Sequence, residues 1–351
     1  MLQNALTRRN VIQSGGAIGA VGLAGCFGIG SSNDEDVVIQ YNAVDGWANY
    51  ETVREEFTDE TGIDFPEDTK NSGQTLNALT NEAENPQADV AYMGISDAIV
   101  AEQNGLTESY EPEGWDNIPD DLKHPDGEWV CNHYGTVGWA VNTNEVEEVP
   151  QSWEDLLDEQ FEDTIALYNP ESAYNGFINF LTANFAMGGD LTDVDPGIDF
   201  FNELQERGNI AAMPDQGVTT SFFQGEVPML MAYDFNAYEA KYLSDLPEED
   251  VEVVVPDDGS IIVPYILNVV NDCPRRENAE VCIDFQLSEQ GQQLVAEAFV
   301  TPSREDISMP DDVTELMLSD DEYESSFSID YEELVEQQDA IREQFSREVA
   351  S

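Results

Sequence analysis

Apolar positions along the chain repeat with two periods, and the alternation between them sets the fold. Val37-Val38-Ile39-Gln40-Tyr41 is a short β-branched run that predicts a strand. After a polar loop from Asn42 to Trp47, Val53 and Phe57 share one face of an amphipathic helix that runs to Glu60, where Thr61-Gly62-Ile63 stops it and begins another strand. A helix over residues 75–84 leads to the strand Ala88-Asp89-Val90-Ala91-Tyr92-Met93, and Ser96 is placed to cap a helix that ends near Gly105. Gly135-Thr136-Val137-Gly138-Trp139-Ala140-Val141-Asn142 is a strand of another kind, glycine-punctuated and aromatic, suited to carrying the chain from one domain to the next.

The βα pattern then repeats. Residues 164–168 predict a strand, 172–187 a long helix, 197–207 a helix, 229–233 a strand and 235–243 a helix. Residues 251–256 and 261–270 predict return strands, and 277–298 two helices joined near Ser288. Residues 330–349 form a charged helix with Tyr331, Leu334, Val335, Ile341 and Phe345 as its apolar stripe. Strands alternating with helices of this length imply an α/β class, with a mixed, mainly parallel sheet covered on both faces.

Composition sharpens this picture. Sixteen Phe, thirteen Tyr and five Trp within 41% apolar residues are enough to build a core, so the high charge does not signal disorder. The length suggests two domains. Seventy-four acidic residues against twelve basic ones give a net charge of −62, spread along the chain from Asp34 onward. Such self-repulsion opposes compaction at low ionic strength, but at about 1 M salt the Debye length is about 3 Å and the repulsion is screened. The acidity resembles that of haloarchaeal proteins and reads as a solubility strategy. A phosphate backbone needs a basic surface, so nucleic acid is not an expected partner.

The N-terminus has its own grammar. Thr7-Arg8-Arg9-Asn10, a short Gly- and Ala-rich apolar stretch and Leu23-Ala24-Gly25-Cys26 resemble a twin-arginine signal followed by a lipobox. The expectation is a signal peptide over residues 1–25, lipidation at Cys26, a solvated tether over residues 26–36 and anchorage on the extracellular face of the cell membrane. Cys131, Cys273 and Cys282 remain, with no scaffold-like spacing; a 273–282 disulfide and buried free thiols both stay open.

Several segments in fixed order carry a resemblance across nearly the whole chain after Cys26. They are Tyr41-Asn42 followed by Phe57-Thr58-Asp59-Glu60-Thr61-Gly62-Ile63; Asp89-Val90-Ala91-Tyr92-Met93 with Gly105-Leu106; Gly135-Thr136-Val137-Gly138 before Asn142-Thr143; and Ser152-Trp153-Glu154-Asp155-Leu156. Asn169-Pro170-Glu171-Ser172, Gly225-Glu226-Val227-Pro228 and Pro256-Asp257-Asp258-Gly259-Ser260 before Pro264-Tyr265 continue the series. Its most specific member is Phe285-Gln286-Leu287-Ser288-Glu289-Gln290-Gly291-Gln292, with Pro302-Ser303-Arg304 behind it. Together they resemble the extracellular solute-binding proteins of ABC importers, in the cluster serving polyamines, ferric ion, thiamine and phosphonates. The resemblance implies a type 2 periplasmic-binding-protein-like fold, a monomer with two α/β lobes joined by crossover strands. It implies a cleft for a small solute, an ABC permease as partner, no cofactor and no catalysis. The expected division is lobe 1 over residues 37–137 and 262–310, lobe 2 over 138–261, and a C-terminal helical segment over 311–351 that packs on the lobes.

Ligands in open α/β sheets sit beyond the carboxyl ends of the strands, so the loops after Tyr41, Met93, Tyr168 and Tyr233 supply the candidate site. It comprises Asn42, Asp45 and Trp47; Ser72 and Gly73; Met93 and Gly94; Tyr134; Ser172, Tyr174 and Asn175; Tyr233, Asp234 and Asn236; and Tyr265. A polyamine is the favoured solute: Trp47, Tyr92, Tyr134, Tyr174, Tyr233 and Tyr265 would wall its methylenes, and Asp45, Asp97 and Asp234 would counter its ammonium ends. Ferric ion is the alternative at Tyr233, although its neighbour is Asp234 rather than a second tyrosine. A phosphonate is the other, held at the helix starts near Ser72 and Ser172, which could equally be plain N-caps. Tyr238 and Tyr242 read as packing residues. A sensory receptor of the same fold and a secreted hydrolase are the rival functions. Among chemistry-bearing patterns, Cys131-Asn132-His133 lacks the partners of a metal or nucleophile site, and no metal is expected.

Overall fold

The computed structural model describes residues 36–45, 47–318, 326–327 and 329–349. The signal, Cys26 and all of the tether except Asp36 lie outside the described residues. The chain opens with β1 (Gln40–Tyr41), α1 (Tyr50–Thr61), α2 (Ser72–Glu82), β2 (Val90–Gly94), α3 (Ile95–Gln103), β3 (Thr107–Glu108) and β4 (Val130–Asn142). It continues with β5 (Ile165–Leu167), α4 (Tyr174–Ala186), α5 (Asp195–Arg207), β6 (Ile210–Ala212), α6 (Val218–Phe223), β7 (Met229–Tyr233), α7 (Asp234–Tyr242), β8 (Val251–Val254) and β9 (Ser260–Val270). It closes with α8 (Arg276–Gln286), α9 (Glu289–Ala296), β10 (Thr301–Pro302), α10 (Asp311–Thr314), β11 (Ser326–Phe327) and α11 (Tyr331–Glu348).

The sheet runs β1-β2-β9-β4-β7-β5-β6, with the remaining strands paired to β4 and β9. It is mixed, as expected: β9 lies antiparallel to both β2 and β4, and β4 antiparallel to β7, while β1–β2, β5–β6 and β5–β7 are parallel. β4 is the long strand that joins the halves. Val130 to Thr136 pair with β9, whereas Val137 to Val141 pair with β7 and Trp139 to Asn142 with β8. The result is a two-lobed α/β fold: β1, β2, β9 and the start of β4 carry the first lobe, and the end of β4 with β5, β6 and β7 the second. Every residue of β2 and β7 is buried, as expected of strands covered on both faces. Gly138 is needed inside β4 because a Cβ there would stand 3.1 Å from the Asp234 backbone and 3.0 Å from the Val254 carbonyl.

Aromatic packing holds the second lobe. Trp139 and Trp153 meet edge to face at 5.1 Å, and Phe180, Phe201 and Phe345 form a cluster with centroids 5.0 to 5.6 Å apart. In the first lobe the buried Asp89 carboxylate accepts from the Ile39 amide, the Arg275 amide and Arg275 Nε at 2.7 Å, so its charge is satisfied despite burial. Cys131, Cys273 and Cys282 are free thiols, Cys131 and Cys282 buried. Tyr238 and Tyr242 pack on Phe299 at 5.3 and 5.5 Å.

Several helix starts differ from the sequence reading, α2 beginning at Ser72 rather than residue 75 and α5 at Asp195 rather than residue 197, and two further differences bear on the cleft. Ser96 does not cap α3; Gly94 holds that position and Ser96 sits inside the first turn. α4 begins at Tyr174 rather than Ser172, because the Ser172 hydroxyl is drawn off to Asp215 Oδ1 at 2.5 Å and Ala173 is left as the cap residue.

Candidate functional site

A cleft of about 260 Å³ lies between the lobes. Its first-lobe wall is the loop after β1 and the start of α2, its second-lobe wall the starts of α4 and α6, and Tyr265 of the connecting strand β9 forms its back. Asn42 adopts φ 67°, a left-handed backbone that asparagine tolerates. Its Nδ2 donates to the Tyr92 carbonyl at 2.9 Å and its amide to Asp68 Oδ1 at 3.0 Å, which pins the loop.

Behind the cleft stands an aromatic column. Tyr265 stacks on Tyr92 at 5.2 Å and on His133 at 5.6 Å, while Trp47 meets Phe235 at 5.1 Å and Tyr265 at 5.5 Å edge to face. Trp47 Nε1 donates to Tyr92 Oη at 3.1 Å, and the Tyr92 hydroxyl shares a hydrogen bond of 2.5 Å with His133 Nε2. Burial lowers the His133 pKa to about 3, which keeps the ring neutral. Trp47 belongs to the first lobe and Phe235 to the second, so the lobes are closed on each other here.

Three helices start at this cleft. Asn71 caps α2, its side chain accepting from the Gln74 amide while Gln74 Oε1 accepts from the Asn71 amide. Ala173 and Gly217 stand at the cap positions of α4 and α6 and offer no side-chain acceptor to the first-turn amides. The orientation of one further donor follows from its neighbours. Asn179 Nδ2 donates to the carbonyls of Asn175 and Ala232 at 3.0 and 3.2 Å, so it presents N–H to Asn175 Oδ1 at 3.1 Å. Asn175 lines the cleft, and its Nδ2 is buried with no partner among the described residues.

Charge in the lining is sparse for so acidic a chain: Lys70 and Asp215. Lys70 Nζ sits 2.6 Å from Asp68 Oδ2 and 3.7 Å from the centre of the Tyr41 ring. Asp215 Oδ1 accepts from Ser172 Oγ and from Asn169 Nδ2 at 3.1 Å.

Of the residues expected at the site, Asn42, Trp47, Ser72, Tyr174, Asn175 and Tyr265 line the cleft. Tyr233 lies in the aromatic column, 6.2 Å from Tyr265, and Gly94 lies directly beneath the Tyr174 ring. Ser72 Oγ accepts from the Gly94 amide at 3.1 Å, and Gly73 follows it in the first turn of α2. Ser172 sits at the rim on Asp215. The others are engaged elsewhere. Asp45 is exposed and paired with Arg54, Met93 is in the first-lobe core, and Tyr134 lies on β4 where it pairs with β10. Asp234 accepts from the Thr136 amide at 2.9 Å, and Asn236 donates to Glu239. Asn71, Lys70, Tyr168 and the stretch from Asp215 to Gly217 belong to the lining without having been singled out. The capping-box spacing of Asn71 and Gln74, and a glycine before the helical run at Val218, are the signals that point to them.

Glu239, beneath Asn236, yields a stability prediction. Burial raises its carboxyl pKa to about 8, and the Asn236 hydrogen bond offsets only part of this. A folded pKa above the unfolded one means the contribution is complete below pH 4.5 and is lost as pH rises through 8. Glu239→Gln removes that loss. Melting curves of the variant and the parent are expected to coincide near pH 4.5 and to separate in the variant's favour by pH 8, at no more than about 1.4 kcal/mol per pH unit. A constant offset across that range would place the ionisation elsewhere.

The cleft, the crossing strands and the lobe architecture agree with what comparison with known proteins gives. An uncharacterized protein of Haemophilus influenzae is 28% identical over 235 residues, which make up 64% of this chain and 65% of that relative, so the match spans less than two thirds of the relative's length. A protein of Salmonella typhimurium, provisionally described as a 2-aminoethylphosphonate-binding periplasmic protein, is 26% identical over 79% of this chain and 82% of its own. Among solved structures, the periplasmic binding protein AfuA from Actinobacillus pleuropneumoniae, with exogenous fructose-6-phosphate bound, shares the fold at a TM-score of 0.77 and 20% identity, covering 90% of this chain and 98% of that one. Residues 87–326 match a family profile described as bacterial extracellular solute-binding protein, and the chain belongs to that family.

Proposed function

We propose that this chain captures a small solute bearing a phosphonate or phosphate group and presents the closed form to an ABC permease. The observation that carries the reading is the start of α4, a 13-residue helix with no side-chain cap, where Asn175 lines the cleft and its Nδ2 is a buried, unpartnered donor. An uncapped helix start offers N–H groups and a partial positive charge, and an anion satisfies both. Lys70, paired with Asp68, stands on the opposite wall. The ligands in the names of the Salmonella relative and of AfuA differ in their carbon skeletons but share a phosphorus oxyanion.

A polyamine would need carboxylates at both ends. Asp45 is paired with Arg54 and Asp234 holds the Thr136 amide, which leaves Asp215 as the carboxylate in the lining. Ferric ion would need several hard anionic ligands, and Asp215 is the one carboxylate in the lining among the described residues. The same proposal includes anchorage through Cys26 after twin-arginine export, monomeric action and the lobe boundaries expected above.

Thermal-shift titration in molar salt tests it with 2-aminoethylphosphonate, fructose 6-phosphate, spermidine and ferric citrate. A solute at about one hundred times its Kd adds about 2.7 kcal/mol of stability. The expected result is a shift with one or both phosphorus oxyanions. A shift with spermidine alone overturns the reading, and turnover of the bound solute would move the chain into the class of enzymes.

A further inference from the structure

The C-terminal helix contributes a residue to this site from outside it. α11 lies across both lobes. Val335 packs against the first-lobe core cluster, and α11 runs along α3 of that lobe. Phe345 packs on Phe180 and Phe201 of the second, and Gln344 Nε2 donates to Asp195 Oδ1 at 2.9 Å. At the start of α11, Tyr331 Oη donates to the Ile262 carbonyl on β9, one of the strands that connect the lobes.

Arg342 sits midway along α11 and is used unlike its peers. Every other described arginine forms a salt bridge with a carboxylate. In a chain with 74 acidic residues that is the expected fate of a guanidinium. Arg342 has no carboxylate within salt-bridge distance among the described residues. Its Nη1 donates instead to the Pro170 carbonyl at 2.6 Å and the Glu171 carbonyl at 3.2 Å, and its guanidinium lies 4.0 Å from the centre of the Phe177 ring. Pro170 and Glu171 are in the turn that delivers Ser172, Ala173, Tyr174 and Asn175 to the cleft, and Phe177 is on the first turn of the same helix.

We infer that Arg342 is the positioning residue for the solute site: it fixes the turn at the start of α4, and with it the Asn175 donor, and ties that turn to the first lobe through α11. The inference rests on the anion reading of the cleft. Two electrostatic facts agree with it. Arg342 lowers the pKa of Asp97, a buried first-lobe carboxyl that burial raises to about 6, so the Arg342 charge is felt on the far side of the lobe boundary. Conversely, burial lowers the pKa of Arg342 while Asp97 and Tyr174 oppose that shift. A guanidinium suits the task because one of its nitrogens donates to both carbonyls while its flat face lies on the Phe177 ring, a stack that an ammonium cannot form.

The test uses Arg342→Met, which keeps apolar contact with Phe177 and removes the fork, Arg342→Lys, which keeps the charge, and Arg347→Met as a surface control on the same helix. The solute probe is 2-aminoethylphosphonate. Loss of a charge-assisted hydrogen-bond pair is expected to weaken its binding about tenfold or more, mainly through faster dissociation, with the lysine variant recovering part of the loss. The second readout needs no solute: amide exchange of the ligand-free protein is expected to accelerate within residues 170–176 in Arg342→Met and nowhere in Arg347→Met. Unchanged exchange in that segment, or acceleration spread evenly over both lobes, overturns the positioning role. If the parent protein binds no phosphorus oxyanion, the anion reading fails while exchange still decides the role of Arg342.

Discussion

Asn175→Asp is expected to abolish capture of a phosphorylated solute, with a loss of two orders of magnitude or more. The substitution exchanges an NH2 for an oxygen with almost no change in volume. Asn179 Nδ2 continues to donate to the retained Oδ1 position, so the side chain keeps its orientation and the new negative oxygen occupies the place of the unpartnered Nδ2. A buried donor to an anion thereby becomes a like charge beside it, and such juxtapositions cost several kcal/mol. The helix dipole at the first turn of α4 offsets part of the cost of burying the new carboxylate, so the melting temperature of the ligand-free variant is measured beside its affinity. Calorimetric titration separates the two ligand classes cleanly: anionic solutes lose affinity and a cationic solute gains it. Retained binding of a phosphonate by the aspartate variant, with an unchanged melting temperature, would remove Asn175 from the site and with it the main support for the anion reading.

The architecture was legible in the chain because both periods are strong where the core is. Met229 to Tyr233 occupy a strand as read, Ser288 caps α9 between the two predicted helices, and Asp330 caps α11. Which strands run antiparallel was not legible, since periodicity identifies a strand without giving its partner. Val37 to Ile39 read as strand, yet β1 retains only Gln40 and Tyr41, because Val37 instead bridges Asp64. β6 and α6 escaped for a different reason: three half-buried residues and a six-residue helix are too short to display a period.

At the site, the residues missed are those whose role depends on a contact distant in sequence. Ser172 has the local pattern of a cap, and nothing near it indicates that Asp215 takes its hydroxyl. The consequence is a helix start left open to the cleft, which is the feature that favours an anion over the polyamine expected from the aromatic residues. Asp45, Asp97 and Asp234 illustrate the opposite error. Among so many carboxylates, proximity in sequence to a predicted loop carries little information, and their partners proved to be Arg54, the surroundings of Arg342 and a backbone amide.

Gly94→Ala is expected to weaken solute binding about 10- to 100-fold while leaving the ligand-free protein folded and nearly as stable. The backbone at Gly94, φ −59° and ψ 149°, is open to any residue, so the local chain is unstrained by a methyl group. Space is the obstacle. A Cβ at this position would lie 2.3 Å from Tyr174 Cε1 and 2.6 Å from Cδ1. Gly94 ends β2 in the first lobe and Tyr174 begins α4 in the second, so the collision exists only when the lobes are together. Overpacking of this kind costs about 1 to 3 kcal/mol where the neighbours cannot yield, and here Tyr174 is held from behind by Tyr265 at 6.4 Å. The methyl group therefore acts as a wedge on one side of the closing equilibrium, and apparent affinity falls by the fraction of closed form it removes. Stopped-flow kinetics should show the loss in the dissociation rate, and Gly94→Ala combined with Tyr174→Ala should restore closure where Tyr174→Phe does not. Parental affinity in the single variant would mean that the contact between Gly94 and Tyr174 is not part of the binding-competent state, and that closure in this protein proceeds about some other surface.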